Sequence, residues 1–159
     1  MDNRKLSNVL KTVIVFLAFL GLVLFSCVVP VGLSAFVEQF PEFGAFFFPW
    51  LTFLSVSSIP LYVILGFGLA VSNEIGKDNS FSIKNVKYLK GVAICLVAEA
   101  VYFFAGNLIL WFLNLNYPII VFLSVALCLF AVAIAATVNV LAHLVKKAVK
   151  LREENEAII

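Results

Sequence analysis

Glu99 is the side chain most favourably placed for a chemical role, because it lies within a long apolar stretch, eight residues after Gly91. A helix rises about 1.5 Å per residue, so a helix that begins near Gly91 carries Glu99 about 12 Å into a bilayer, slightly short of its centre. A charge at that depth costs about 3 kcal/mol or more. We therefore expect Glu99 to face other helices, to be protonated or to have a partner.

Counting along the other apolar stretches to the same depth identifies the neighbours expected for this carboxyl. They are Gly21, Tyr62 and Thr137, and none is basic. A stripe on its own helix, expected to face inward, consists of Cys95, Glu99, Tyr102 and Gly106. Two interpretations stay open. Either the carboxyl responds to protons or contacts a substrate, or it is a neutral group that donates to a backbone carbonyl freed by Pro60.

The other reactive side chains do not form a catalytic or metal-binding set. His143 is the one histidine and has no carboxylate at ligand spacing, which argues against a metal site. The three cysteines lie in separate apolar stretches without paired spacing, as is typical of buried free thiols. The sequence contains neither a phosphate-binding glycine loop nor a Ser-His or Cys-His pattern. We therefore expect no enzyme, no metal and no cofactor.

The elements that must position Glu99 are membrane-spanning helices, because 64% of the 159 residues are hydrophobic and 17 are Phe. Four apolar stretches reach the roughly 20 residues needed to cross hydrocarbon, at about 9–36, 46–71, 91–113 and 118–144. The sequence thus predicts an all-α fold. It is an integral membrane four-helix bundle, with residues 1–159 forming a single domain that includes a loop at 72–90 and a C-terminal helix at 145–159.

The charged residues predict how the four helices are oriented. All 11 Lys and Arg fall in residues 4–11, 77–90 and 146–152, and none lies in the other two connections. Cytoplasmic segments collect positive charge, so we expect both termini and the 72–90 loop to be cytoplasmic. Aromatic residues that suit the headgroup boundary flank the other two connections. The protein is therefore expected to be a multi-pass protein of the cell membrane, N-in and C-in, with the lipid bilayer as its main partner.

The stretch "KDNSFSIKNVKY" is the one polar segment of any length between the spans. Ser82 is a natural N-cap, and Phe81 is placed to form a hydrophobic staple with Val86. From Ile83 onward, apolar residues alternate with Lys84, Lys87 and Lys90, which predicts a short helix at the membrane surface. The alternative is that these lysines, together with Phe81 and Ser82, contact a cytoplasmic protein. Direct nucleic-acid binding is not expected, since topology and lipid explain the lysines.

The C-terminal segment "KKAVKLREENE" is expected to extend the fourth helix into water. Lys150 lies four residues before Glu154, which favours a helical ion pair. The segment is either a solvated extension or a docking peptide for a partner, in which case the candidate contacts are Lys147, Lys150, Glu154 and Asn155.

Two segments resemble a known family. "SNEIGKDNSFSIKNVKYLKGVAI", with its Asn-x-Phe-Ser motif, is similar to the signature of the YoaS-like bacterial membrane proteins, a domain of unknown function (2975). "KKAVKLREENEAII" resembles the closing segment of that family, although Ala157 and Ile158 depart from it. The resemblance implies a small four-helix inner-membrane protein, often encoded beside a small helix-turn-helix regulator. It implies no established activity.

These features lead to one main hypothesis and two alternatives. The main hypothesis is a regulatory or interaction protein that holds a cytoplasmic partner, such as a helix-turn-helix regulator, through the 72–90 loop and the C-terminal helix. The first alternative is a small transporter or ion-conducting homo-oligomer built around Glu99. The second is an immunity or stress protein of the membrane.

Overall fold

The computed structural model describes residues 2–158, and long helices account for nearly all of them. The elements are α1 (Asn3–Val23), a π-helical segment (Leu24–Val28), α2 (Val29–Gln39), a 3-10 helix (Pro41–Phe46), α3 (Phe47–Gly76), α4 (Ile83–Phe112) and α5 (Pro118–Ile158). Four segments are long and apolar enough to cross a membrane: Asn3–Gln39, Pro41–Gly76, Ile83–Phe112 and Pro118–Ile158. We call them the first to fourth spans. The predicted all-helical fold with four candidate membrane spans is confirmed.

The spans pack in chain order. The first span lies against the second, the second against the third, and the third makes its most extensive contact with the fourth. Among the described residues, the backbones of the first and fourth spans do not approach each other. The sequence predicted a compact bundle, whereas the structure is an open row of helices. The physical reason is that lipid is as apolar as the helix surfaces, so no hydrophobic force closes the row.

Small side chains allow the close contact between α4 and α5. Ala93 and Ala100 on α4 are buried, as are Ala135 and Ala142 on α5, each of the last two only 1% exposed. The Cys128 thiol donates to the carbonyl oxygen of Ala100 at 3.2 Å, which links the same two helices at mid-length. Small residues let helix backbones approach and gain van der Waals contact in lipid.

The helix α4 begins where the sequence places its cap. Ser82 has an extended backbone, and its hydroxyl accepts from the backbone N–H of Asn85 at 3.2 Å. The helix then continues without a break through Gly91 to Phe112, so the predicted helix over residues 83–90 is confirmed as the first part of α4, and its placement at the membrane surface stays a prediction. Val86 is 4% exposed while Phe81 is 57% exposed. The 83–90 segment is therefore the first part of the third span, and the connection is only residues 77–82.

The first span contains the irregular part of the spanning helices. Its π-helical segment, Leu24–Val28, comes just before Pro30. Proline has no N–H to donate to the carbonyl four residues earlier, and its ring crowds that carbonyl, which explains the local widening of the helix. Pro60 also lies inside a spanning helix, since α3 runs as one helix from Phe47 to Gly76.

The two ends of the row differ in chemistry. We call the end formed by residues 3–11, 72–90 and 143–158 the basic end, and the end formed by residues 36–50 and 111–118 the aromatic end. At the aromatic end Phe43 and Phe46 lie beside Tyr117, with ring centroids 5.9 and 6.3 Å apart. These contacts connect the first helical hairpin to the second where backbone contact is sparse.

Candidate functional sites

The predicted intramembrane carboxyl lies between the second and third spans. The Ser57 hydroxyl donates a hydrogen bond to Oε1 of Glu99. Ser57 is 5% exposed and lies three residues before Pro60. The second carboxyl oxygen, Oε2, is buried and has no hydrogen-bond partner within residues 2–158. Among the described residues, one of the two carboxyl oxygens of Glu99 therefore has a hydrogen-bond partner and the other has none.

An open cavity of about 310 Å³ adjoins this carboxyl. Three spans contribute its lining, which consists of Ser57, Leu61, Glu99, Ala100, Phe103, Leu127, Cys128 and Ala131. Apart from the carboxyl, the Ser57 hydroxyl and the Cys128 thiol, the side chains are apolar. The ion pairs found in the described residues all involve residues 74–77 or 150–156, so no protein cation neutralises Glu99. A proton or an external cation is what the site can accept.

Tyr102, one turn from Glu99, serves to hold the second and third spans together. Its hydroxyl donates to the carbonyl oxygen of Phe53 at 2.9 Å, and the two rings stack with centroids 5.3 Å apart. Gly106 admits the Phe53 ring, since a Cβ there would lie 2.2 Å from a ring carbon. The part of the predicted stripe from Glu99 to Gly106 therefore faces the second span.

All three predicted neighbours of Glu99 lie elsewhere. Tyr62 donates to the carbonyl oxygen of Ala18 at 2.7 Å and lies against Gly21, so it joins the first and second spans. Thr137 is exposed and donates to the Ala133 carbonyl one turn earlier on its own helix. Cys128, not Thr137, lies at the level of Glu99. The depth count failed because the fourth span starts and ends at levels different from the third.

At the basic end, the residues predicted to form a turn make one connected network around Glu74. The Asn79 side chain donates to Oε2 of Glu74 at 2.6 Å, and the Asn79 backbone N–H donates to the Glu74 carbonyl at 2.9 Å. Lys77 Nζ lies 3.7 Å from Oε1. The bond from Asn79, aided by the charges of Lys77 and Lys84, lowers the pKa of the Glu74 carboxyl. This residue lies beyond the apolar part of α3, which ends at Val71.

Buried serines and an asparagine hold the same end of the molecule. The Ser7 hydroxyl donates to the Ser72 carbonyl at 2.7 Å, and the Ser72 hydroxyl donates to the Ser7 carbonyl at 2.8 Å. The Asn85 side chain donates to the Ser80 carbonyl at 2.8 Å. These contacts assign structural roles to most of the polar stretch. The sequence analysis missed them, because only the reciprocal placement of two helices brings Ser7 to Ser72.

An open cavity of about 490 Å³ lies between the start of α4 and the extension of α5. We call it the basic groove, and its lining consists of Ile83, His143, Lys146, Lys147, Val149, Lys150 and Glu153. Of the residues predicted to contact a partner, Lys147 and Lys150 line the groove. Lys84, Lys87 and Lys90 are exposed beside it but do not line it. Glu154 lies 3.9 Å from Lys150, and Asn155 is exposed farther along the helix.

A polar clamp at the aromatic end was not predicted. The Asn116 side chain donates to Oδ1 of Asn107 at 3.0 Å, and both residues are buried. The Trp50 indole N–H donates to the Leu115 carbonyl at 2.7 Å. The available signal was Asn107 itself, since an amide inside an apolar span has to find a partner. The clamp fixes the turn between the third and fourth spans.

Comparison with known proteins places these features in a family. Residues 31–159 match the family described as "Protein of unknown function (DUF2975)". The chain belongs to this family. Over 159 residues it is 25% identical to a protein of Bacillus subtilis (strain 168) described as "Uncharacterized membrane protein YoaS", covering 99% of both chains. No solved structure matches the chain. The family resemblance expected from the residue 72–94 segment and the C-terminal segment is therefore confirmed, and the protein is a membrane protein.

Proposed function

We propose that this protein holds a partner protein at its basic end, and that the basic groove is the docking site. The observation that carries the proposal is the composition of the groove. It combines exposed apolar surface at Ile83, which is 46% exposed, with three lysines on one face of α5. Positive charge collects on the cytoplasmic side of membranes, so the partner would be cytoplasmic.

The charge balance of the groove specifies the chemistry of the partner. Lys146, Lys147 and Lys150 face one carboxyl in the lining, that of Glu153. The Lys150–Glu154 pair spans 3.9 Å between exposed groups, so it neutralises Lys150 only weakly. A complementary segment would carry acidic residues beside one or two apolar side chains. A helix with apolar residues at positions i and i+4 meets this description.

The extension of α5 supports this role by its rigidity. It continues the fourth span without a break, so the lysines keep fixed positions relative to Ile83. A preformed surface loses less conformational entropy when a partner binds than a flexible tail does. The chain thus offers a rigid basic surface next to the membrane.

Neutralising the groove lysines tests the proposal. The test variant combines Lys146→Gln, Lys147→Gln and Lys150→Gln. It should abolish recovery of the cytoplasmic partner from cells that are cross-linked before membrane extraction. The matched control is Lys84→Gln, Lys87→Gln and Lys90→Gln, which removes the same charge outside the groove lining and should leave recovery nearly unchanged. Equal loss in both triple variants would attribute binding to net charge and refute the groove, as would the absence of any specifically recovered protein.

Glu99 supports a second candidate function, a proton-coupled pathway, because its Oε2 atom is buried without a partner beside an open cavity. Proton flux in reconstituted vesicles should be abolished by Glu99→Gln and retained by Glu38→Gln, which changes an exposed carboxyl at the aromatic end. Flux that survives Glu99→Gln would remove the carboxyl from the mechanism, and no flux in the unmodified protein would remove this function.

A further inference from the structure

Helix α5 carries two apolar stripes, and only one of them packs against another helix. The inner stripe packs on α4 through Ser124, Cys128, Ala131, Ala135, Ala142 and Val149. Its members are separated by three, four or seven residues, which keeps them on one face of a helix that packs along a straight neighbour. The inner stripe accounts for the buried side of α5.

The outer stripe lies about 100° around the same helix, one residue before each position of the inner stripe. Beyond residue 144, where the apolar part of the span ends, it consists of Ala148, Leu151, Asn155 and Ile158. It continues into the span through Leu127, Phe130, Ile134, Thr137, Leu141 and Leu144. Leu151 is 53% exposed and Ile158 is 83% exposed. The outer stripe therefore follows one heptad repeat from the lipid into water. Within residues 2–158, no other helix covers it.

We propose that two copies of the chain associate in parallel along the outer stripe of α5. The part beyond residue 144 favours protein over lipid as the covering element, since Leu151 and Ile158 would otherwise face water. Outside the stripe, residues 145–157 comprise seven charged residues, which include both exposed ion pairs, Lys150 to Glu154 and Arg152 to Glu156, and the apolar Val145, Val149 and Ala157. Apolar residues at heptad spacing with charged residues on both sides are typical of a coiled-coil surface.

The residue types on the stripe favour a second copy of this chain in parallel. Leu144, Leu151 and Ile158 occupy the d positions, while Ala148 and Asn155 occupy the a positions. Leucine at d with one asparagine at a is the pattern of parallel two-stranded coiled coils, in which the two amides pair across the axis. Two copies in one membrane share the same orientation, so each stripe meets its own counterpart in register.

One flanking pair opposes this association weakly. In parallel register Lys147 of one copy lies near Arg152 of the other, a like-charge contact at the rim. Arg152 already has Glu156 at 3.1 Å on its own helix, which offsets its charge. Exposed rim charges contribute little compared with the apolar positions.

The outer stripe also adjoins the carboxyl site, since Leu127 belongs both to this stripe and to the lining of the Glu99 cavity.

Cysteine cross-linking in native membranes tests the pairing. The starting variant is Cys27→Ala, Cys95→Ala and Cys128→Ala combined, which removes the native thiols. Single substitutions Ala148→Cys, Leu151→Cys and Asn155→Cys should give disulfide-linked dimers on mild oxidation. The controls Lys150→Cys and Glu153→Cys are also exposed to solvent but lie toward the basic groove, and they should cross-link several-fold less.

A mass measurement gives an independent readout. Light scattering of the detergent-solubilised protein should give the mass of two chains, and Leu151→Gln should shift it toward one chain while Lys150→Gln does not. Any of three results would overturn the proposal. They are uniform cross-linking along the helix, strongest cross-linking at Lys150→Cys and Glu153→Cys, and a single-chain mass for the unmodified protein. The outer stripe lies on a different face of α5 from the groove, and of the groove residues only Lys147 flanks it. Failure of this pairing therefore leaves the proposed docking function standing, and failure of docking leaves the pairing standing.

Discussion

The buried amide pair at the aromatic end offers the sharpest test of how this fold is held together. Asn107 is completely buried, and its Nδ2 donates to the Phe103 carbonyl at 2.8 Å while its Oδ1 accepts from Asn116 at 3.0 Å. Asn107→Leu keeps a branched side chain of similar size but removes both hydrogen bonds. The Nδ2 group of Asn116 then keeps only its longer contact of 3.2 Å to the backbone carbonyl of residue 107, while its Oδ1 still accepts from the Tyr117 backbone N–H.

The expected cost follows from the two bonds lost. Side-chain hydrogen bonds inside membrane proteins contribute on average about 0.6 kcal/mol, and the strongest about 1.7 kcal/mol. Two such bonds, one of them to a partner that stays buried, give a destabilisation of about 1.5 kcal/mol. The matched control is Asn139→Leu on an exposed position of α5, where the change should stay within about 0.5 kcal/mol.

Trp50 provides the assay. Its indole donates to the Leu115 carbonyl, next to Asn116, so its fluorescence reports on the clamp during unfolding in mixed micelles. A Trp111→Phe background leaves Trp50 as the single tryptophan. Because Asn107 and Asn116 share one bond, the double change Asn107→Leu with Asn116→Ala should cost less than the sum of the single changes. Strict additivity, or an Asn107→Leu cost equal to that of Asn139→Leu, would refute the clamp.

Two further predictions concern packing and pH. Gly106→Ala should destabilise the protein by about 1–3 kcal/mol in the same unfolding assay, because the new Cβ meets the Phe53 ring, whereas Gly66→Ala, with open space around it, should not. The lowered pKa of Glu74 contributes stability that is fully present above about pH 4.3, the ordinary value, and is lost as the pH falls through the lowered value. Glu74→Gln should reduce this loss of stability at acid pH, while the exposed control Glu38→Gln should not. If Glu74→Gln leaves the loss of stability unchanged, the Asn79–Glu74 bond does not form.

The four apolar helices could be predicted because the bilayer leaves few alternatives. Each apolar run is long enough to span, and a backbone in lipid has to satisfy its own hydrogen bonds. The Ser82 cap could likewise be predicted from the sequence, since a capping side chain bonds only to the next few residues. The length of the loop was overestimated for a different reason. Lys84, Lys87 and Lys90 favoured a connection that extends to residue 90, but residues 83–90 are helical and belong to α4, with Asn85 and Val86 buried.

The carboxyl site could be predicted only in part. Glu99 was identified because it is the one ionisable residue deep in a span, which depends on composition alone. Its partner Ser57 depends on how far each helix is displaced along its neighbour, and that displacement is set by local contacts such as Phe53 against Gly106. Thr137 is separated from Glu99 by the displacement between the third and fourth spans, where Cys128 contacts Ala100. Residue types therefore locate the unusual group, while its partners follow from packing.

The open row of helices also restricts where further association can occur. A row has two outer edges, formed here by the first and the fourth span. At the basic end the first span is tied back onto the second, by Ser7 to Ser72 and by a hydrogen bond from Asn3 to Asp78. The fourth span instead projects beyond the 77–82 turn, and all its side chains from Lys150 to Ile158 are exposed. The basic groove and the outer stripe both lie on this projecting helix. Shortening it at Val149 should therefore remove pairing outside the lipid while leaving the inner stripe on α4 intact.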